Sequence, residues 1–396
     1  MRTKAYLFFD TAVSLTLCAL IFMVPFYKAA TEILCVLAIL FFAAKKIAHP
    51  DFAFMRSLSH VFLLLFFLFG ALSLLNSGSF LDISLRALFG KWMKFVFIFL
   101  IASDTLTDPI RVRRFIFFGL AAAWLVCIDG LYQYFTCSDW FFHRELIKHV
   151  NGIYGVTAVF IHYNLLGSYL TVAFCISLSV LLDNLKKSTL RFMFLMFGAF
   201  LIVIVLFLTS SRGAFTSLIF SIVLAAVLWG QKRRVFFALA LFVGLSVFFP
   251  IGKRLFLLGS SNFDSQRFII WKNTLPMILE HPFIGSGIGT YMQNFSKFIP
   301  QLSVRHAHNC YLQIFAEGGF FSLLSFLGFV FFVLKNAGKA YVKSRDIYLL
   351  CVFCAIVSFL THSFFDVDLY SLQLSYMFWL YLGALVAITR YQLAKF

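Results

Sequence analysis

The sequence predicts an all-α polytopic membrane protein. Two observations predict it: composition, and the spacing of the apolar residues. The chain is 62% hydrophobic and only 12% charged over 396 residues, with a mean hydropathy of +0.94. Soluble domains are about 45–50% apolar and about 25% charged. A soluble fold of this length cannot hide so much apolar surface. A soluble enzyme, a disordered chain, a coiled coil and a collagen are therefore excluded.

The apolar residues fall into about 12 runs, each near the length a span needs. They are 6–27, 29–44, 58–76, 88–103, 114–135, 164–182, 192–209, 214–230, 235–251, 311–334, 346–364 and 370–389. The first is expected to be an uncleaved span rather than a leader. Arg2 and Lys4 precede it, but it is longer than an h-region of about 7–15 residues and contains Asp10. No internal repeat of the kind many transporters carry is visible.

The charge excess is +17, from 33 Lys and Arg against 16 Asp and Glu. In a soluble protein that balance suggests nucleic acid. In a membrane protein, basic residues gather in cytoplasmic loops, so nucleic acid is not expected as a partner. With the N-terminus inside, every inner segment is basic: Lys45 and Lys46, Arg111 to Arg114, Lys186 to Arg191, Lys232 to Arg234, Lys335 to Arg345, and Arg390 with Lys395. An even number of spans puts the C-terminus inside too.

Residues 1–396 are expected to form a single integral membrane domain. Most outer connections are short, but 136–163 and 252–310 are long. Loops beyond about 12–15 residues are usually functional or disordered. The second contains Trp271, Pro276, Pro282 and a glycine run, so short helices over the outer face are expected. Six of the eight cysteines sit inside apolar runs and read as packing. Cys137 and Cys310 lie near the outer surface, and nothing in the sequence argues that they pair.

Three outer clusters carry candidate chemistry. Arg212 stands in Ser210-Ser211-Arg212-Gly213, between two apolar runs. It reads equally as a snorkelling boundary residue or as an anion clamp, because guanidinium offers a planar fork to phosphate. Gly213 and the serines would admit a bulky head group. Arg305-His306-Ala307-His308-Asn309 closes the long outer loop, with Glu317, Gly318 and Gly319 about two turns later. Two histidines two apart point to different sides of a helix, a poor pair for one metal, but one of them suits a general base. The third cluster is Arg267 with Trp271, followed by His281-Pro282 and Gly285, Gly287 and Gly289. The glycines suggest a tight turn and lack the context of a nucleotide loop. Asp10, Glu32 and Asp129 fall within the runs. Intramembrane acids are functional candidates by default, and together they lean toward a proton-coupled transporter.

In this order the pieces resemble the O-antigen ligase family, to which O-antigen polymerases and bacterial protein O-oligosaccharyltransferases are related. The resemblance rests on Ser211-Arg212-Gly213, Arg267 before Trp271, His281-Pro282, Gly285 to Gly289, and His308-Asn309 with Gly319 ten residues further on. Phe160 to Asn164 and His362 to Asp366 add two weaker steps. It covers about 150–385; the first 150 residues match in hydropathy alone.

The resemblance implies a membrane-embedded, GT-C-like glycosyltransferase that is inverting and needs neither metal nor cofactor. It implies a bacterial inner-membrane location, cytoplasmic termini and a site facing the periplasm. The donor would be a glycan on undecaprenyl pyrophosphate, met at the membrane lipid surface, and the acceptor a sugar hydroxyl of lipid A-core. On this reading His308 is the base, and Arg212 and Arg267 hold the pyrophosphate. Arg305 and His306 contact the acceptor or the pyrophosphate, and Ser211, Gly213, Trp271, Asn309 and Gly319 support them. A polymerase or a protein O-oligosaccharyltransferase would use the same donor; a transporter is the alternative from another class.

Overall fold

The computed structural model describes residues 4–148, 154–184, 188–230, 262–300 and 304–396. The run 235–251, expected as the ninth span, lies outside the described residues. Each of the other eleven runs coincides with a helix. Helices α1 (Lys4–Met23) and α2 (Lys28–Ala48) form a hairpin. Helix α3 (Leu58–Leu72) runs on as a 3-10 turn to Asn76. Helix α4 (Leu81–Ala87) passes through a π-helical stretch, Leu88–Trp92, into α5 (Met93–Thr105). Then come α6 (Pro109–Thr136), α7 (Tyr163–Asn184), α8 (Thr189–Thr209) and α9 (Arg212–Trp229). Helices α10 (Asn262–Glu280) and α11 (Tyr291–Phe298) precede α12 (Cys310–Ser344), α13 (Ile347–His362) and α14 (Leu372–Leu393). Within the segment 252–310, the described residues hold the helices α10 and α11. The smaller loop carries a two-stranded antiparallel pair, Ile147–Lys148 against Tyr154–Gly155.

Local sequence sets these boundaries. Asp108 caps α6 through Ile110 N–H, with Pro109 at the first turn. Asn309 and Asp346 cap α12 and α13 in the same way, at 3.0 and 2.8 Å. Eight helices are long and apolar enough to cross a membrane among the described residues; α2, α5 and α13 are not in that set. Of the eleven runs within the described residues, eight meet this measure.

Helix α14 is the centre of the bundle: every residue from Leu374 through Leu385 is buried. A helix apolar all round has no face for solvent and becomes core. Helix α8, by contrast, exposes Phe194, Phe197 and Phe200, a surface suited to lipid.

Two of the acids expected inside spans, Asp10 and Glu32, are paired with basic residues. Asp10 lies 2.7 Å from Lys45 and 2.6 Å from Arg111, and Lys45 and Lys46 both reach Asp104. Glu32 is bonded to Lys94. Asp129 accepts Trp140 N–H at 2.7 Å. Asp10 and Glu32 thus tie helices together and lose their weight as signs of a proton path, whereas Asp129 Oδ2 is buried with no partner among the described residues. All eight cysteines are free, and Cys310 is buried, so Cys137 and Cys310 are not joined.

The long outer loop is anchored where two irregular backbones cross. Helix α12 breaks at Gly319, which has φ 77 and ψ −178. The break frees the carbonyls of Ala316 and Glu317, and they accept Ser286 N–H and Gly287 N–H, each at 3.0 Å. Phe320 N–H donates to Pro282 O at 2.8 Å. The Glu317 carboxylate accepts Gly289 N–H at 2.9 Å and Tyr291 N–H at 3.3 Å. The backbones approach so closely that a Cβ on Gly285 would lie 2.3 Å from Glu317 O.

Gly285→Ala combines that clash with a left-handed φ of 72. It is expected to cost more than about 3 kcal/mol. Gly338→Ala, in open space on α12, is expected to gain about 0.5–1 kcal/mol. Thermal unfolding of the purified variants checks both; equal behaviour would show that the crossing does not hold the fold.

Candidate active site

The site grows from two corners and one strained residue. Helix α8 ends in a left-handed Ser210, φ 56. Ser211 then caps α9, and its hydroxyl donates to Asn164 Oδ1 at 2.8 Å. This makes Arg212 the first residue of α9, half-buried at the bundle end. At Gly213 a Cβ would stand 3.1 Å from Phe365 Cβ and 3.3 Å from His362 Nε2. The Ser-Arg-Gly step is thus a tight corner packed against the end of α13.

The second corner is α10. Arg267 and Trp271 are one turn apart and share a face. Trp271 Nε1 donates to Ala307 O at 2.9 Å, and Ala307 N–H donates to Gln313 Oε1 at 3.1 Å. Ala307 is buried between His306 and His308 and is held from both sides. Those bonds fix His308 at φ 50, a conformation that costs a non-glycine residue about 1–3 kcal/mol and recurs at functional sites.

His308 Nδ1 stands 3.3 Å from Asp366 Oδ1. Asn164 Nδ2 donates to Asp366 Oδ2 at 2.9 Å. A carboxylate only accepts, so the paired Nδ1 carries the proton and Nε2 of the neutral ring is an acceptor. Burial pushes the Asp366 carboxyl up. The hydrogen bond from His308 and the charges of His308, His362 and Arg267 outweigh it and hold the group well below the usual carboxylate range. A second pair lies deeper, with His362 Nδ1 2.8 Å from Asp368 Oδ2 and Ser168 Oγ on the same oxygen at 3.0 Å.

Arg212 and Arg267 line one cleft with Asn164, Gly213 and His362. The Arg267 Nε–H is buried and has no acceptor among the described residues. The cleft holds about 20 Å³, roughly one water, so a larger anion enters only as the two half-buried arginine side chains swing. Beside it, Trp271, Phe268, Leu312 and Phe315 line an open apolar groove of about 460 Å³.

Of the residues selected from the sequence, Arg212, Arg267, Ser211, Gly213 and His308 gather at one end of the bundle. Trp271, Asn309 and Gly319 hold the backbone around them. Arg305 is exposed and lines neither the cleft nor the groove. His306 turns toward Tyr370, with ring centroids 6.3 Å apart. Burial, and then the charge of His308, pull its imidazole down to about 4, so it is a weak proton acceptor near neutrality. Asp366, Asn164 and the His362–Asp368 pair complete the site. The sequence quoted Asn164, His362 and Asp366 as motif steps without giving them a role. Among the described residues no three His, Cys, Asp or Glu side chains are grouped as metal ligands.

The fold defines a polytopic helical membrane protein with cationic and imidazole groups collected at one end. Residues 197–327, about a third of the chain, match the family model described as O-antigen ligase. The segment contains Arg212, Arg267, His308 and Gly319, and over it the resemblance drawn from the motifs is borne out. This supports an O-antigen ligase or polymerase family in general, whose members are glycosyltransferase-like. No curated protein matches the chain at a significant level.

The His306 environment favours the neutral ring. Its contribution to stability is full above about 6.5 and is lost as pH falls toward about 4. His306→Gln is expected to remove this dependence, up to about 3 kcal/mol of it. Unfolding temperatures of both proteins across that window check this, and parallel profiles would refute it.

Proposed function

We propose that the chain is an O-antigen ligase of the bacterial inner membrane, with one integral membrane domain, cytoplasmic termini and the site facing the periplasm. It transfers a glycan from undecaprenyl pyrophosphate to a sugar hydroxyl of lipid A-core, with inversion and without a metal or cofactor. The observation that carries this reading is the Arg212–Arg267 cleft with its unpartnered buried Nε–H, joined to His308 through Asp366, Asn164 and Ser211.

The acceptor oxygen attacks the anomeric carbon as the bond from that carbon to the pyrophosphate oxygen breaks. His308 Nε2 takes the hydroxyl proton, and Asp366 holds the ring and stabilises its charged form. Negative charge grows on the departing pyrophosphate, where two guanidinium groups stabilise it. The apolar groove past Trp271 suits the first isoprene units of the carrier. Arg305, exposed beside the site, is left to an anionic acceptor or to the same pyrophosphate.

Reconstitution with purified lipid-linked glycan, lipid A-core and a chelator tests the reading. Modified core in the presence of chelator is the expected product. Longer lipid-linked glycan without modified core would instead show a polymerase. His308→Ala is expected to lower turnover by about 10²–10⁴ while donor binding persists; near-normal turnover would remove it as the base. Asp366→Asn should fall in the same range and shift the pH profile. Arg212→Ala should weaken donor use more than Arg212→Lys; equal loss in the two would assign the effect to fork geometry rather than charge.

A further inference from the structure

The loop between α13 and α14 has two functional faces. Asp366 points to His308. Three and four residues later, Leu369 and Tyr370 line a separate cavity of about 330 Å³. Its other walls include Lys28 and Glu32 on α2, and Lys91 and Lys94 on the stretch from α4 to α5. Three ammonium groups thus meet one carboxylate. Glu32 is bonded to Lys94, and neither Lys28 nor Lys91 has an acidic partner among the described residues. Lys91 belongs to the π-helical stretch Leu88–Trp92. Such stretches are rare and recur at functional sites.

The cavity lies next to the proposed reaction centre. Tyr370 borders it, lies with its ring tilted 48° to that of His306 and donates to Glu317 at 3.1 Å. The charge of Lys91 is felt at His306, two residues from His308. A surplus of lysine charge is a recognition element for phosphate or carboxylate. Flexible point charges suit an anion whose position varies more than rigid forks do.

We infer that the Lys28–Lys91–Lys94 cavity binds a phosphate substituent of the acceptor glycolipid. The acceptor then reaches His308 past Tyr370, and the donor diphosphate sits at Arg212 and Arg267. Two anionic lipids are thereby sorted by chemistry, forks for the diphosphate and ammonium groups for the acceptor. This inference rests on the proposed role of His308.

The test uses the full chain in phosphatidylcholine nanodiscs. The probes are a phosphorylated lipid A-core glycolipid, the same glycolipid after phosphatase treatment, and phosphatidylglycerol. Binding and acceptor KM are both measured. Lys28→Glu with Lys91→Glu should weaken binding of the phosphorylated glycolipid at least tenfold and raise its KM similarly. Donor KM and binding of the dephosphorylated glycolipid should stay unchanged. Lys28→Gln with Lys91→Gln should give a smaller loss in the same direction, which guards against misfolding of the charge-reversed protein. His308→Ala should bind the glycolipid normally. Unchanged binding in both double variants would overturn the inference while leaving His308 as the base. Equal competition by phosphatidylglycerol would overturn it too, by showing a general headgroup site. Lysine-dependent binding without any transfer by the wild-type protein would instead overturn the proposed activity and support the anion site.

Discussion

The site depends on one close crossing of backbones. Helix α12 cannot continue through Gly319, and the carbonyls released there are taken by the Gly285–Gly289 loop. An unpaired backbone group away from water costs as much as a lost hydrogen bond, and in a membrane water is scarcer still. The break and the loop therefore stabilise each other, and neither is tolerable alone. Glu317 adds its carboxylate to the loop and receives Gln313 at 3.2 Å. Gln313 in turn fixes Ala307 N–H. The strain at His308 is thus supported, through Glu317, Gln313 and Ala307, by a contact more than a helical turn away.

Much of the fold was legible in the sequence because hydrophobic periodicity and length are enough to mark apolar helices. The pairing of charges was not. Asp10, Glu32 and Asp129 look alike as isolated acids in apolar runs. Only the packing of α1 against α2 and α6 shows Asp10 between Lys45 and Arg111. The partners of Glu317 were hidden for the same reason, since its place in the chain does not show that its carboxylate meets Gly289 and Tyr291. The break at Gly319 redirects its carboxylate toward Gly289 and Tyr291.

The candidate site was legible as residue types and order. Arg267 and Trp271 were visible as a pair, and their spacing on one helical face explains why: the indole anchors α10 to Ala307 while the guanidinium reaches the cleft. What the sequence lacked was the link between distant segments. Asn164 and Asp366 are separated by 202 residues, and no local pattern joins them. Position in the chain also failed to rank the two histidines. Burial and a neighbouring charge set His306 apart from His308.

The Asn164 amide has a consequence of its own. Its Nδ2 faces Asp366 and its Oδ1 faces the Ser211 hydroxyl. The primary amide offers a donor on one side and an acceptor on the other, so the chain of bonds from His308 to the α8–α9 corner has a fixed polarity. An aspartate in that place would present oxygen to oxygen, and a leucine would leave both ends unmet. The position is therefore a directional coupler. It joins the His308–Asp366 pair to the turn that carries Arg212 with one direction of hydrogen bonding.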